Sequence, residues 1–109
     1  MKKLVAAGAA AAVAAGALAV PTFGAATKTV NVRDNRFDPA SLTVTAGTTV
    51  KWVWKGKAPH NVKVTKGPAT FASTTQTKGS FSKKLTKKGT YSIVCTIHAP
   101  GMKMTVKVR

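Results

Sequence analysis

The side chains of this sequence that suit metal binding are concentrated near its C-terminal end. Cys95 is the only cysteine, His98 is one of two histidines, and Met102 and Met104 are two of the three methionines. The second histidine, His60, lies far upstream. A thiolate, two imidazoles and a weak axial thioether form the ligand set of a blue-copper electron-transfer site. The pattern therefore predicts a copper site made by His60, Cys95, His98 and one of the two methionines.

Each of these residues also has an ordinary structural interpretation. A single buried cysteine commonly acts as a small hydrophobic side chain, a methionine near a strand fills the core, and a lone histidine is often only hydrogen-bonded. These interpretations are weak in combination, because the scarce residue types share one tight spacing. Zinc is an alternative metal for the same residues, since cysteine and histidine suit it as well. A zinc site here would be structural and colourless.

The first 26 residues predict a secretory signal peptide. A positive start at residues 1–3 precedes an Ala/Val/Leu/Gly run over residues 4–20, and Gly24-Ala25-Ala26 provides a small-residue cleavage site. A membrane anchor is the alternative, but the run is near the lower length limit for spanning and is rich in Ala and Gly. We expect cleavage after Ala26. Residues 27–109 then form a single domain in the periplasm or in the extracellular or cell-wall space.

Charge is the most extreme property of the composition. Lys and Arg number 18 against only Asp34 and Asp38, which gives a formal net charge of +16. Such a surface steers a monomeric protein toward acidic redox partners or an anionic cell envelope. A nucleic-acid partner also follows from charge alone, but the lysines are spread over nearly every predicted loop and strand. The two acidic side chains lie in or beside one turn, so they do not provide a second acid/base pair for hydrolytic catalysis. Beyond them, the sequence has no acidic residue that could orient a histidine.

The sequence after the signal peptide predicts an all-β domain. Apolar and polar residues alternate with period two, and glycine or proline separates the segments at spacings of about eight to twelve residues. This pattern indicates a sandwich or a barrel. Trp52 and Trp54 share one sheet face and are predicted to anchor the core, with base stacking as the alternative. The predicted strands are 29–33, 41–45, 50–55, 61–65, 79–85, 91–95 and 102–108, and a short extended segment is predicted at 37–39. Residues 66–78 form a polar segment, and Phe71 is predicted to attach it to the core.

These segments resemble cupredoxins, specifically small bacterial proteins of the plastocyanin/amicyanin type. The stretches that carry the resemblance are Val30–Asp34, Phe37–Pro39, Leu42–Gly47, Val50–Trp52, Pro59–Val62, Gly89–Ser92 and Cys95–His98. They span nearly the whole predicted domain. The resemblance implies a Greek-key β-sandwich of seven to eight strands that binds one type 1 copper ion at its loop-rich end.

The resemblance also implies a role for particular residues. It implies four copper ligands: the imidazoles of His60 and His98, the thiolate of Cys95 and the axial sulfur of Met102. Asn61 is expected to brace the loop beneath the cysteine, as an outer residue that holds the ligands in place. His98 is expected to be the exit point of the electron, within a patch of small apolar residues made of Ala58, Pro59, Ala99, Pro100 and Gly101.

Two features depart from the family pattern. Three residues separate His98 from Met102, whereas plastocyanin-like loops usually have four and amicyanin-like loops two. Met104 is therefore a rival axial ligand, although it is in phase with Val106 and Val108 and is predicted to fill the core. Val94 precedes the cysteine at a position that is often aromatic in plastocyanins, so a second electron route through that side chain is not expected.

The function predicted from these features is that of an exported one-electron carrier, not an enzyme. A complete ligand set leaves no open position for a substrate, in contrast to catalytic metal sites. Copper storage or delivery is the alternative, but proteins of that kind tend to use exposed Met/His clusters. A cationic adhesion or nucleic-acid-binding β-domain, in which the Cys-His cluster is incidental, is a third hypothesis.

Overall fold

The computed structural model of the protein describes residues 26–109. The predicted signal peptide of residues 1–26 lies outside this range except for its last residue, and the cleavage site stays a prediction. Residues 26–109 contain no helix with the length and hydrophobicity that a membrane crossing requires. Eight strands are present in the described part: β1 (Thr27–Arg33), β2 (Arg36–Asp38), β3 (Ser41–Val44), β4 (Thr48–Trp54), β5 (Lys63–Lys66), β6 (Ser80–Leu85), β7 (Gly89–Val94) and β8 (Lys103–Val108).

The strands form two four-stranded sheets that pack as a sandwich. The first sheet has the order β2-β1-β4-β6 and the second the order β3-β8-β7-β5. Two pairs are parallel, β1 with β4 and β3 with β8, and the remaining pairs are antiparallel. The all-β sandwich of seven to eight strands predicted from the sequence is confirmed, and the described residues form eight strands.

The period-two alternation places one side of each long strand in the core. In β4 the buried positions are Thr48, Val50, Trp52 and Trp54, and in β8 they are Met104, Val106 and Val108. Burial of this kind contributes roughly 25 cal/mol per Å² of apolar surface removed from water. Both tryptophans are buried, as predicted for core anchors and not for a stacking platform.

Phe71 attaches the long polar segment to the core, as predicted. Its ring packs against those of Trp52, Phe81 and Tyr91 at centroid distances of 5.9, 6.1 and 6.3 Å. Lys83 lies on the edge strand β6 with its Nζ atom 5.9 Å from the Phe71 ring centroid. A lysine on the inward side of β6 is therefore accommodated, because its charged end reaches solvent over an aromatic face.

The strand after His60 begins later than the sequence predicts. The predicted strand covers residues 61–65, whereas β5 starts at Lys63. Residues 60–62 instead bond to the polar segment: His60 and Gln76 exchange two backbone hydrogen bonds of 3.0 Å, and Ser73 donates from its backbone to the Val62 carbonyl at 2.8 Å. The polar segment thus holds His60 in place.

Candidate metal centre

The site lies at the end of the sandwich where β4 and β7 both terminate. His60 follows β4 by six residues, and its carbonyl accepts a hydrogen bond from the Trp54 indole at 3.3 Å. Because Trp54 is itself buried in the core, this bond attaches the histidine to the sandwich. The paired backbone bonds to Gln76 hold the same residue from the other side.

The other candidate ligands lie in the short loop between β7 and β8. Lys103 pairs with Val94 as the hairpin's last rung. Inside the loop, the backbone N–H of Cys95 donates to the Met102 carbonyl at 3.0 Å, and the N–H of Met102 donates to the His98 carbonyl at 3.2 Å. The N–H of His98 donates to the Cys95 carbonyl at 3.2 Å. These three backbone bonds hold Cys95, His98 and Met102 close to one another in a compact loop.

Three donor atoms converge at this loop. The Nδ1 atoms of His60 and His98 lie 3.2 Å apart. The Sγ atom of Cys95 lies 3.8 Å from Nδ1 of His60 and 3.5 Å from Nδ1 of His98. His60 and Cys95 have no exposed surface, whereas His98 is half-buried. The fold therefore brings together the three residues that the sequence predicted as metal ligands, although they are up to 38 positions apart in the chain.

The separations of the three donors fit a single metal ion. Bonds of about 2.0–2.1 Å to nitrogen and about 2.3 Å to sulfur, as in zinc sites with these donors, would span them at angles of roughly 100–120° around one ion. Two imidazoles and a thiolate in a trigonal arrangement, with a weak axial thioether, are the donors that define blue-copper sites. The residues present are thus compatible with copper in both geometry and chemistry.

Met102 and Met104 are both buried, and the sulfur of Met104 accepts a hydrogen bond within the core. The Trp52 indole donates a hydrogen bond to Sδ of Met104 at 3.3 Å, inside the core between the sheets. Met102 lies at the base of the ligand loop, with 1% of its surface exposed, and is bonded through its backbone to Cys95 and His98. Met102 is the methionine that belongs to the loop.

Asn61 braces the ligand loop as expected. Its Oδ1 atom accepts the backbone N–H of Thr96 at 2.8 Å, and its Nδ2 donates to the Thr96 hydroxyl at 3.0 Å. Thr96 directly follows Cys95. The two bonds therefore tie the residue beside the first histidine to the residue beside the cysteine.

Asp34 contacts the edge of the His60 ring that faces away from the other donors. Its Oδ1 atom lies 3.0 Å from Nε2 of His60, and the carboxylate also accepts the backbone N–H groups of Lys57 and Ala58. The N–H of Ala58, then the His60 side chain and the N–H of Lys57, lower the pKa of Asp34 from 3.8 to about 2. Asp34 is absent from the site predicted from the sequence. The scarcity of carboxylates in the chain is the one signal that could have drawn attention to it.

The surface around His98 contains one large apolar side chain. Ile97 is 47% exposed and is the exposed large hydrophobic residue of the described range. The residues predicted to surround His98 are small and are intermediate or exposed in the structure: Ala58, Pro59, Ala99, Pro100 and Gly101. Ile97 adds apolar area to this predicted patch and was not part of it.

The sandwich with its histidine and cysteine donors at one end has the architecture of a cupredoxin. Residues 25–109 match the model of the family described as copper binding proteins, plastocyanin/azurin family. The chain belongs to this family, as a small member of the amicyanin/plastocyanin type, and its cofactor is copper.

Individual relatives agree with this assignment. The chain is 34% identical over 103 residues to amicyanin-alpha of Methylorubrum extorquens, covering 90% of this chain and 86% of the relative. It is 40% identical over 81 residues to plastocyanin of Prochlorothrix hollandica, covering 66% of this chain and 62% of the relative. A solved structure of an oxidised amicyanin variant superposes with a TM-score of 0.68 at 29% identity, covering 75% of this chain and 81% of that one.

Proposed function

We propose that this protein is an exported blue-copper protein that carries single electrons between redox partners. In this proposal one copper ion is held by Nδ1 of His60, Sγ of Cys95 and Nδ1 of His98, with the Met102 sulfur as a weak axial ligand. The observation that carries the proposal is the convergence of the three donor atoms within 4.8 Å of one another. Copper bound there would supply one electron by moving between Cu(I) and Cu(II).

The surrounding residues favour a carrier over an enzyme. His60 and Cys95 are fully buried and are attached to different parts of the sandwich, which fixes the distance between their donor atoms. A rigid site lets the metal change charge with little rearrangement of its ligands. With Met102 as the fourth ligand the site has no open position for a substrate, whereas catalytic metal sites keep one.

The route for the electron in this proposal passes through His98. His98 is the half-buried ligand, and Ile97 beside it is exposed. A small apolar patch around a partly exposed ligand suits brief docking, because two such patches can approach closely once water is displaced. The lysines outside the patch would steer acidic redox partners toward the protein or hold it near an anionic cell envelope.

The charge of the described domain supports acidic partners. Asp38 is paired with Arg33 at 3.1 Å, and Asp34 is occupied by His60 and backbone N–H groups. Both carboxylates of the chain therefore have positive or hydrogen-bond-donating partners within the protein. We expect electron exchange with an acidic partner to slow as salt rises, because the Debye length falls from about 30 Å at 0.01 M to about 8 Å at 0.15 M.

A visible absorption spectrum of the purified protein tests the proposal. After addition of Cu(II) we expect an intense blue band that disappears with a mild reductant and returns on oxidation. The control is Cys95→Ser, which keeps a small side chain but removes the thiolate, and which should lack the band. Reversible copper binding without the band would contradict the proposal and point to storage or delivery. Absence of copper binding would leave a cationic β-domain.

Export is tested separately, by the mass of the protein recovered from cells that express the full chain. A product beginning within two residues of Thr27, found outside the cytoplasm, is the expected result. Uncleaved protein in the membrane fraction would instead indicate an N-terminal anchor.

A further inference from the structure

The His60 side chain has two different neighbours on its two ring nitrogens. Nδ1 faces Cys95 and His98, while Nε2 lies 3.0 Å from Oδ1 of Asp34. In a neutral imidazole one nitrogen carries the proton and the other has the free lone pair. An ionised carboxylate can only accept a hydrogen bond. Nε2 must therefore carry the proton, which leaves the lone pair of Nδ1 directed at the other two donors.

The carboxylate of Asp34 is held firmly in this position. Its two oxygens accept the N–H of Lys57 at 3.0 and 3.1 Å, and Oδ1 also accepts the N–H of Ala58 at 2.9 Å. Gly56 packs so closely over this group that a Cβ atom added there would lie 2.5 Å from Cγ of Asp34 and 2.8 Å from its backbone nitrogen. The 55–58 loop is thus shaped around the carboxylate.

The arrangement applies to only one of the two histidines. The chain has two acidic side chains, and the other, Asp38, is paired with Arg33. Within residues 26–109 no carboxylate is hydrogen-bonded to the His98 ring, and the two imidazoles of the site therefore differ in their electrostatic surroundings. His60 is also completely buried, so water does not compete for its Nε2 proton.

We propose that Asp34 is a positioning residue of the copper site, which fixes the tautomer and ring orientation of His60 and, through its negative charge, favours Cu(II) over Cu(I). This inference rests on the copper site proposed above. A carboxylate that accepts the distal N–H of a metal-bound imidazole orients the ring and increases its basicity. A more basic ligand stabilises the more highly charged metal ion, so the reduction potential is held lower than it would be without Asp34.

The test compares Asp34→Asn with Asp38→Asn in the full protein at pH 7. Both changes remove one negative charge, but only the first alters the partner of His60. The asparagine Oδ1 can still accept from Nε2 and from the loop N–H groups, so the geometry is retained while the charge is lost. We expect Asp34→Asn to weaken Cu(II) binding about tenfold more than Cu(I) binding, which raises the reduction potential by about 59 mV. Asp38→Asn should leave the potential unchanged.

A second readout does not depend on copper. In nitrogen-15 spectra of the metal-free protein we expect the His60 proton on Nε2, protected from exchange with water. Asp34→Ala removes the acceptor and should accelerate that exchange, whereas Asp38→Ala should not.

The outcomes separate this inference from the proposed function. A wild-type protein without the blue band overturns the function, and with it the effect on potential. A blue wild-type protein in which Asp34→Asn and Asp38→Asn have the same potential overturns this inference alone. A His60 proton located on Nδ1 in the metal-free protein likewise overturns it, because Asp34 would then not set the tautomer.

Discussion

The indole of Trp52 donates a hydrogen bond to the sulfur of Met104 at 3.3 Å across the interior of the sandwich. Trp52 is on the first sheet and Met104 on the second, so the bond links the two layers. The bond also satisfies the only polar atom of a buried tryptophan side chain, since indole N–H is a donor without acceptor capacity. A sulfur used in this way is part of the core, which leaves Met102 as the methionine available to the metal.

Replacing each methionine by leucine should therefore have different consequences. Met102→Leu is nearly volume-conserving and should cost less than about 1.5 kcal/mol in the metal-free protein, yet it should change the blue spectrum and raise the reduction potential. Met104→Leu should leave the blue spectrum and the reduction potential unchanged. It should lower the free energy of unfolding by about 1 kcal/mol, because the Trp52 N–H loses its acceptor. Visible spectroscopy, voltammetry and urea unfolding measure the three quantities. A spectral change in Met104→Leu alone would reverse the assignment.

The bond pair between Asn61 and Thr96 predicts a graded loss of stability. Asn61→Ala removes both hydrogen bonds and leaves the Thr96 N–H without its partner, so we expect a loss of about 1–3 kcal/mol in unfolding free energy. Thr96→Val removes only the 3.0 Å bond to the hydroxyl and keeps the 2.8 Å bond from the backbone. Thr96→Val should therefore lower the unfolding free energy by less than Asn61→Ala does. Urea unfolding of the metal-free variants checks the order, and an equal cost for both would show that the backbone bond contributes nothing.

Much of the fold could be predicted because the physical signal is local. Alternation of apolar and polar residues placed Val30, Trp52 and Val106 on inner faces, and each is fully buried. Cys95 is in phase with Tyr91 and Ile93 in the sequence, which places its side chain on the core-facing side, and it too has no exposed surface. The convergence of His60 with Cys95 and His98 could be expected only from the resemblance and the rarity of these residue types, because no local pattern connects them.

The contacts that were not predicted depend on hydrogen bonds between distant segments. Asp34 and His60 are 26 positions apart, and a carboxylate in a turn gives no sign of which backbone groups it will accept. The pairing of His60 with Gln76 also joins segments that no local pattern connects, since the polar composition of residues 66–78 indicated only a loop. That pairing also explains why β5 starts at Lys63, because the preceding backbone groups already have partners.

The close packing of Gly56 against Asp34 predicts that this glycine cannot be replaced by alanine without cost. The added Cβ would overlap the carboxylate, and forced overpacking of this kind costs about 1–3 kcal/mol. The matched control is Gly101→Ala, whose Cβ would lie 3.7 Å from the His98 carbonyl, an ordinary contact distance. Thermal or urea unfolding of the two metal-free variants tests this. Equal stabilities would show that the 55–58 loop moves freely away from Asp34.

Tyr91 makes the stability of the protein sensitive to alkaline pH. Its hydroxyl donates to the Lys87 carbonyl at 2.8 Å, and its side chain is buried on the inner face of β7. Burial raises the pKa of Tyr91 above its ordinary value of 10.0. Because the folded pKa lies above the unfolded one, the contribution to stability is complete below about pH 10 and is lost as pH rises through the folded pKa.

Comparison with Tyr91→Phe isolates this contribution, since the two proteins differ only in the Tyr91 hydroxyl. At about pH 8 the wild type should be more stable by about 1 kcal/mol, the value of the lost hydrogen bond. Above about pH 10 the unfolded wild type releases a proton that the folded state retains, so the stability difference between wild type and Tyr91→Phe should shrink. Urea unfolding of the metal-free proteins at both pH values gives the two differences. A difference that is the same at both would mean that the Tyr91 hydroxyl ionises as readily in the folded protein as in the unfolded chain.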